Sequence, residues 1–310
     1  MNGKLEVRAA PHLLDPDSTA KIMYSVLLAL IPSALAGVIL FGVHALWLML
    51  VSVAAACFTE AGCQLLLRQP VTITDGSAAI TGLLLAFNLP PSFPLRYAAF
   101  GAFMAIVLGK QLFGGLGENP FNPALIGRVV LAAAFPQEMT TWQALGGVMA
   151  DAATTATPLG LIKLGQVPAL SELLLGNVLG CIGETSVVAI LIGGIYLLWR
   201  KIIDWRIPVG MLGSVAVLSV LLGADPLVQL STGGLMLGAF FMATDPVTSP
   251  VTKPGRWIFA IGAGAVVVLI RFFGGLPEGV SYSILLMNAV KPILNKATKP
   301  RIFGEVRGRA

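Results

Sequence analysis

The sequence predicts an all-α polytopic membrane protein, with about ten transmembrane segments in two inverted five-segment repeats that contain short broken helices. Of its 310 residues, 56% are hydrophobic and only 11% are charged, and the mean hydropathy is +0.86. About a quarter of the residues in a soluble domain are charged, so charges this sparse cannot cover a water-exposed surface. Most of the surface must therefore face lipid.

Ten apolar segments supply the predicted crossings. Seven are long enough to cross about 30 Å of hydrocarbon, and they lie near 22–41, 44–67, 95–110, 177–199, 207–223, 256–273 and 280–294. Three are bounded by Pro, Asn or Asp and are too short to span cleanly, and they lie at 76–89, 122–135 and 232–244. Segments of this length predict interrupted helices.

The two halves of the chain resemble each other. FGGLGENPFNPALIGRVV at 113–130 aligns without gaps on FGGLPEGVSYSILLMNAV at 273–290, and TGLLLAF at 81–87 is similar to GGLMLGAF at 233–240. Each half then holds five segments, and an odd number of crossings inverts the second copy. Inverted repeats with interrupted helices are typical of transporter-like folds, whose irregular backbone lines a cavity near the bilayer midplane.

Lysine and arginine positions predict the orientation in the inner (cytoplasmic) membrane. With the N-terminus in the cytoplasm, sixteen of the twenty basic residues lie on the cytoplasmic side: Lys4, Arg8, Lys21, Arg68, Lys110, Arg200, Lys201, Arg206, Lys253, Arg256 and six after residue 290. The residues expected outside are Arg96, Lys163 and Arg271. Both termini (1–21 and the basic tail 295–310) are then cytoplasmic, and loop 136–176 between repeats 22–135 and 177–294 is extracytoplasmic.

Metal and nucleic-acid chemistry are not expected from this chain. Cys57, Cys63 and Cys181 lie in apolar stretches without CxxC spacing, and the chain has only His12 and His44. The net charge of +5 indicates topology rather than a nucleic-acid surface. No side-chain set for catalysis is found, so a redox function would need an organic cofactor.

The densest polar cluster at membrane depth is GENPFNP at 117–123. Asn119 and Asn122 offer amide donors and acceptors at the start of a half-helix, whose free N–H groups suit a polar ring system or an anion. The alternative is a re-entrant turn in which the asparagines only cap backbone groups. Asp75, in TDGSA at 74–78, is equally consistent with a helix cap or with a ligand contact in the same cavity.

Three acidic residues are candidates for an ion path. Glu60 and Glu184 lie within or near apolar segments, where carboxylates are costly and usually face protein or water. Asp245, in MATDPV, lies at a helix end in the second half. The alternative for the glutamates is an interfacial position or a bond to a partner subunit.

A threonine-rich stretch, DAATTATPL at 151–159, lies in the extracytoplasmic loop. Such a stretch has little capacity to span a membrane or to form a core. By itself it is most simply a polar loop with a local hydroxyl-to-backbone turn.

Three motifs together carry a family resemblance: DGSAAITGLLLAFNLPP at 75–91, GKQLFGGLGENPFNPALIGRVV at 109–130 and DAATTATPL. The chain resembles the D subunits of Rnf ion-translocating electron-transfer complexes and, less closely, the B subunits of sodium-pumping NADH:quinone reductases. The resemblance implies a membrane electron carrier within a complex of other Rnf subunits that moves electrons between ferredoxin and NAD and translocates Na⁺ or H⁺. A small-solute channel of the urea type is the alternative from another class.

The resemblance also implies two flavins. A flavin transferase would join the phosphate of FMN to Thr157, in a motif that maps onto Asp151, Thr154 and Ala156, with Thr155 where the family has glycine. A second, non-covalent flavin, riboflavin, would occupy the cytoplasm-facing cavity. Its expected contacts are Asn119 and Asn122, with Asp75 facing the same cavity.

Overall fold

A computed structural model describes residues 18–142, 158–163, 169–176, 178–184, 186–274 and 279–300. Within these ranges every regular element is helical, which confirms the all-α class. Among the described residues, three helices are long and apolar enough to cross a membrane: α1 (Thr19–Phe41), α2 (Val43–Leu66) and a late helix, Lys253–Phe273. Several shorter apolar helices accompany them, as in a multi-pass membrane protein.

The first half continues with three shorter helices: α3 (Ser77–Phe87), α4 (Leu95–Gly109) and α5 (Pro123–Ala134). Glycine separates α1 from α2, because Gly42 takes a φ of 79°, which a residue with a Cβ adopts only under strain. Proline occupies the first position of α5, where its missing N–H costs nothing.

The segment between the halves, predicted as one long loop, contains short helices in its described parts. They are α6 (Pro136–Thr140), α7 (Pro158–Lys163) and α8 (Leu170–Leu175). None is longer than 6 residues, so none is able to cross a bilayer.

The second half contains α9 (Val187–Trp199), α10 (Arg206–Leu221), α11 (Pro226–Ser231), α12 (Leu235–Leu237), a π-helical turn at Gly238–Met242, α13 (Lys253–Phe273) and α14 (Val280–Ala297). Each of the ten predicted apolar segments therefore contains helix. The π turn falls where the second copy, GGLMLGAF, has one residue more than TGLLLAF. A π turn accommodates a single extra residue within a continuing helix.

One predicted segment is wrong at its start. The segment 177–199 was expected to be helical throughout, but α9 begins only at Val187, and residues 178–184 form turns. Their backbone bonds to the end of α3: Gly183 N donates to the carbonyl oxygen of Phe87 at 2.9 Å. A Cβ on Gly183 would lie 2.4 Å from the Cβ of Phe87, so glycine permits this close approach.

The two halves pack by corresponding pairs. In the first half α2 packs on α4 and α4 on α5, while in the second half α10 packs on α13 and α13 on α14. The halves meet where α1 packs on α9. The outer faces are apolar: Ile39 is 81% exposed and Phe58 78%. Large exposed apolar side chains on consecutive helices fit a surface that faces lipid.

Candidate functional site

A cavity of about 80 Å³ lies between the two halves. Its walls come from the start of α1, α3, the turn before α5, the end of α9 and the π turn. Most of the lining is apolar, and the polar groups on it are Ser77, Thr81, Lys110, Asn119, Asn122, Thr244 and Asp245. Apolar walls with a few convergent polar groups are typical of sites for organic ligands.

Asn119 and Asn122 both line this cavity, and both are 3% exposed. Asn122 caps α5, because its Oδ1 accepts from the N–H groups of Ala124 at 3.0 Å and Leu125 at 3.4 Å. Its Nδ2 donates to the carbonyl oxygen of Met242, in the π turn. Asn122 therefore caps a helix, as the alternative interpretation of GENPFNP expects. It also bonds to the second half of the chain.

Asn119 is held more loosely within its own turn. Its Nδ2 donates to the carbonyl oxygen of Phe121 at 3.2 Å, and its Oδ1 accepts from Gly117 N at 3.4 Å. An amide group has two donor hydrogens and two acceptor lone pairs. Asn119 therefore keeps one donor hydrogen on Nδ2 and one lone pair on Oδ1 for a ligand.

Asp75 does not line the cavity but bonds to Ser77, which does. Its Oδ1 accepts from both the backbone N and the Oγ of Ser77, at 2.8 and 2.6 Å. This local bond fixes the first residue of α3. Of the two residues, Ser77 lines the cavity.

A buried ion pair lies behind Ser77. Lys110 Nζ donates to both carboxylate oxygens of Glu60 at 2.7 Å and to Ser77 Oγ at 2.6 Å. Lys110 is 1% exposed and Glu60 0%. Lys110 was counted on the cytoplasmic side, which stays a prediction, but its charge is neutralised inside the protein and is therefore weak evidence for orientation. Sequence analysis missed Lys110 as a site residue, although one basic and one acidic residue at membrane depth suggest a pair.

Glu184 also has a basic neighbour within the chain. Arg128 Nη1 lies 3.7 Å from Glu184 Oε1 and donates to Asn88 Oδ1 at 2.7 Å. Cys181 Sγ donates to the carbonyl oxygen of Asn88. These four residues tie α3 and α5 to the turns before α9, and they do not line the cavity at Asn119.

Arg271 is a second buried basic residue. It was counted on the extracytoplasmic side, which stays a prediction; it is 4% exposed and donates to the backbone oxygens of Gln229 and Thr232, each at 2.7 Å. Free carbonyls at the end of the short helix α11 hold the guanidinium, so its position reports a structural bond and not topology.

Asp245 follows the π turn and lines the cavity. Its Oδ1 accepts from Val247 N and its Oδ2 from Thr248 Oγ1, both at 3.1 Å. Asp245 therefore lines the same cavity as Asn119 and Asn122. Glu60 does not line it, but Glu60 bonds to Lys110, which does. The flavin-motif residues Asp151, Thr154, Ala156 and Thr157 lie outside the described residues.

The chain is a helical membrane protein with a partly polar cavity between its two halves. Its residues 6–304 match the model of the NQR2, RnfD, RnfE family, and the chain belongs to this family. The resemblance to Rnf D subunits that the sequence carries is confirmed by its relatives.

Three relatives illustrate this similarity. The D subunit of the proton-translocating ferredoxin:NAD(+) oxidoreductase complex of Clostridium ljungdahlii is 48% identical over 97% of this chain and 96% of its own length. The D subunit of the Na(+)-translocating complex of Acetobacterium woodii is 47% identical over 97% and 95%. The D subunit of an ion-translocating oxidoreductase complex of Stutzerimonas stutzeri is 43% identical over 94% of both chains.

Proposed function

We propose that this chain is a membrane-embedded electron carrier, the D subunit of an ion-translocating ferredoxin:NAD oxidoreductase complex. The observation that carries the proposal is similarity to two such subunits at 48% and 47% identity over nearly the full length of all three chains. Those two relatives are named for different ions, so Na⁺ and H⁺ both remain within the proposal. Other subunits of the complex would bind ferredoxin and NAD.

The proposed architecture has ten membrane segments in two inverted repeats, in the inner membrane. The corresponding packing of α2 on α4 and of α10 on α13 supports the repeat, as does the π turn at the one-residue insertion. Both termini would be cytoplasmic and loop 136–176 extracytoplasmic.

The cavity between the halves is the proposed site of a non-covalent flavin, riboflavin. Its mostly apolar walls, with a few polar groups converging on one side, suit a planar ring system. Phe240 and Phe241 would exclude water from one side. Asn119 would orient the polar ring edge through its remaining donor and acceptor, and Asn122 through its one remaining donor hydrogen. When bound, a flavin accepts and donates one or two electrons.

A second flavin, FMN, would be attached through its phosphate to Thr157 by a flavin transferase. Family membership and the motif residues Asp151, Thr154 and Ala156 support this assignment. An acceptor in a loop at the membrane surface is accessible to another enzyme, which a buried threonine is not.

Flavin analysis of the purified chain tests the proposal. After denaturation, fluorescence of the protein band on a gel reports covalent flavin, and chromatography of the supernatant identifies released flavin. We expect a fluorescent band and free riboflavin. A colourless protein with no released flavin contradicts the carrier and favours a small-solute channel.

A further inference from the structure

A groove of about 660 Å³ lies where α9 ends and where α10 and α13 begin. Its lining includes Lys201, Asp204, Trp205, Ser249 and Arg256. The groove adjoins the cavity at Asn119 and shares Ile203 and Thr244 with it, but the charged residues that line the groove do not line the cavity.

The groove carries an excess of positive charge. Asp204 is its one acidic lining residue, and it pairs with the guanidinium groups of both Arg206 and Arg256. Burial raises the pKa of Asp204, but the Arg206 backbone N–H and the two guanidinium groups outweigh it, so this pKa lies below its ordinary value. Two permanent positive charges thus share one negative charge.

Further cations surround this cluster. Arg200, Lys201 and Lys253 are exposed, and none of the three has an ion-pair partner within the described ranges. Lys201 lines the groove in a left-handed conformation, with φ of 56°. Within the described ranges, the charged side chains at this groove that lack an ion-pair partner are therefore cationic.

Aromatic and apolar groups complete the surface. Trp205 is 49% exposed and packs edge-on against Trp257, with ring centroids 5.7 Å apart. Trp199, at the end of α9, is 77% exposed, and Val251 on the groove wall is 73% exposed. Tryptophan beside lysine and arginine is characteristic of the boundary between hydrocarbon and headgroups.

We infer that this groove binds a phospholipid with an anionic headgroup. Lys201 and the Arg206–Asp204–Arg256 cluster attract the phosphodiester, while Trp205 and Val251 contact the glycerol and the upper acyl chains. Charge complementarity selects this ligand over a zwitterionic lipid, and the apolar wall selects it over a soluble phosphate. Basic grooves between membrane helices are known to hold anionic headgroups in this way.

Quenching of tryptophan fluorescence tests the inference on the purified full chain. Brominated phosphatidylglycerol and brominated phosphatidylcholine are titrated separately into the protein in detergent micelles, with glycerol 3-phosphate as a soluble competitor. We expect half-maximal quenching at a several-fold lower mole fraction of phosphatidylglycerol, and no relief by glycerol 3-phosphate. Equal quenching by the two lipids, or full relief by the soluble phosphate, would overturn the inference.

A matched pair of variants assigns the effect to the groove. Lys201→Gln removes one groove charge and should weaken phosphatidylglycerol quenching by about fivefold, the effect of one lysine near an anionic headgroup. Arg68→Gln is the control, because Arg68 is also exposed and left-handed, with φ of 54°, but follows α2 and does not line the groove. If phosphatidylglycerol quenching weakens equally in both variants, the lipid responds to the general surface charge of the protein, and the inference of a site in this groove is overturned.

A protein partner is the competing occupant. A photo-crosslinker at position 201 of the assembled complex should capture lipid. Capture of another subunit there, together with loss of the lipid preference, would assign the groove to an acidic protein surface instead.

Discussion

Lys110 donates to both carboxylate oxygens of Glu60 at 2.7 Å, and both side chains are almost completely buried. The pair joins the end of α4 to α2, and through Ser77 it reaches the start of α3. The Lys110 ammonium group therefore holds α2, α3 and the end of α4 together. This arrangement places an ammonium group on the cavity wall with its charge already compensated.

We expect Lys110→Met to lower the free energy of unfolding by about 3–5 kcal/mol, because it leaves a buried carboxylate without its counter-ion. Thermal unfolding of the detergent-purified protein measures the change. Glu60→Leu/Lys110→Met removes both charges and should recover most of the loss. Arg68→Met, at an exposed position, serves as the control and should change little. A Lys110→Met protein as stable as the wild type would contradict the role of the pair.

Asn122 allows its structural and ligand roles to be separated. Asn122→Leu should cost about 0.5–2 kcal/mol of stability because α5 loses its cap. Asn122→Asp keeps an oxygen that accepts from Ala124 and Leu125 but loses the amide donor. Asn122→Asp also loses the bond to the carbonyl oxygen of Met242 and buries a carboxylate beside it, so its thermal stability should fall below that of the wild type. If the amide also binds riboflavin, the Asn122→Asp protein that remains folded should release no riboflavin on denaturation. If the Asn122→Asp protein contains as much riboflavin as the wild type, Asn122 caps α5 and does not bind the flavin.

The double variant Asn119→Leu/Asn122→Leu tests the whole cavity. Each hydrogen bond lost to a buried ring should cost about 1–3 kcal/mol of binding. Two such losses weaken a non-covalent flavin by on the order of a hundredfold. Chromatography of the supernatant should then show loss of riboflavin, while flavin bound at Thr157 remains. Retention of both flavins at the wild-type ratio would place riboflavin elsewhere.

Helix positions were predictable because the signals are local. Apolar length and the flanking Pro, Asn and Gly residues located α4 and α5 to within one residue or so at each end. The cavity residues Asn119, Asn122 and Asp245 were also predictable, because polar groups at breaks in apolar helices face the protein interior.

Pairings between distant residues were not predictable. Glu60 and Lys110 are 50 residues apart, and spacing along the chain does not say which helices pack together. The turns at 178–184 were missed for the same reason. Their composition is apolar enough for a helix, but contact with the end of α3 favours turns, and Gly183 is the residue that permits it.

Thr157→Ala should abolish covalent flavin and leave the fold intact. Mass spectrometry of the loop peptide should place the FMN adduct on Thr157 in the wild type, and fluorescence of the protein band should disappear in the variant. Thr155→Ala is the matched control, because it keeps the acceptor hydroxyl and the motif residues Asp151, Thr154 and Ala156. An adduct on Thr154 or Thr155 would contradict the assignment.

The orientation of the chain can be measured at Lys163, which ends α7 in the loop between the halves. Cys57 and Cys63 are half-buried and Cys181 is buried, so all three are first replaced by serine or alanine to remove background labelling. Lys163→Cys should then react with an impermeant maleimide added to intact cells. We expect this result because lysine and arginine concentrate on the opposite side of the predicted topology, which puts the loop outside.

Lys201→Cys is the control for sidedness, since Lys201 is exposed and belongs to the basic groove. It should react only after the cells are lysed. The reverse pattern, with Lys201→Cys labelled in intact cells and Lys163→Cys protected, would invert the topology. An inverted chain would place Thr157 in the cytoplasm, beyond the reach of an extracytoplasmic transferase, so this measurement also tests the proposed route of flavin attachment.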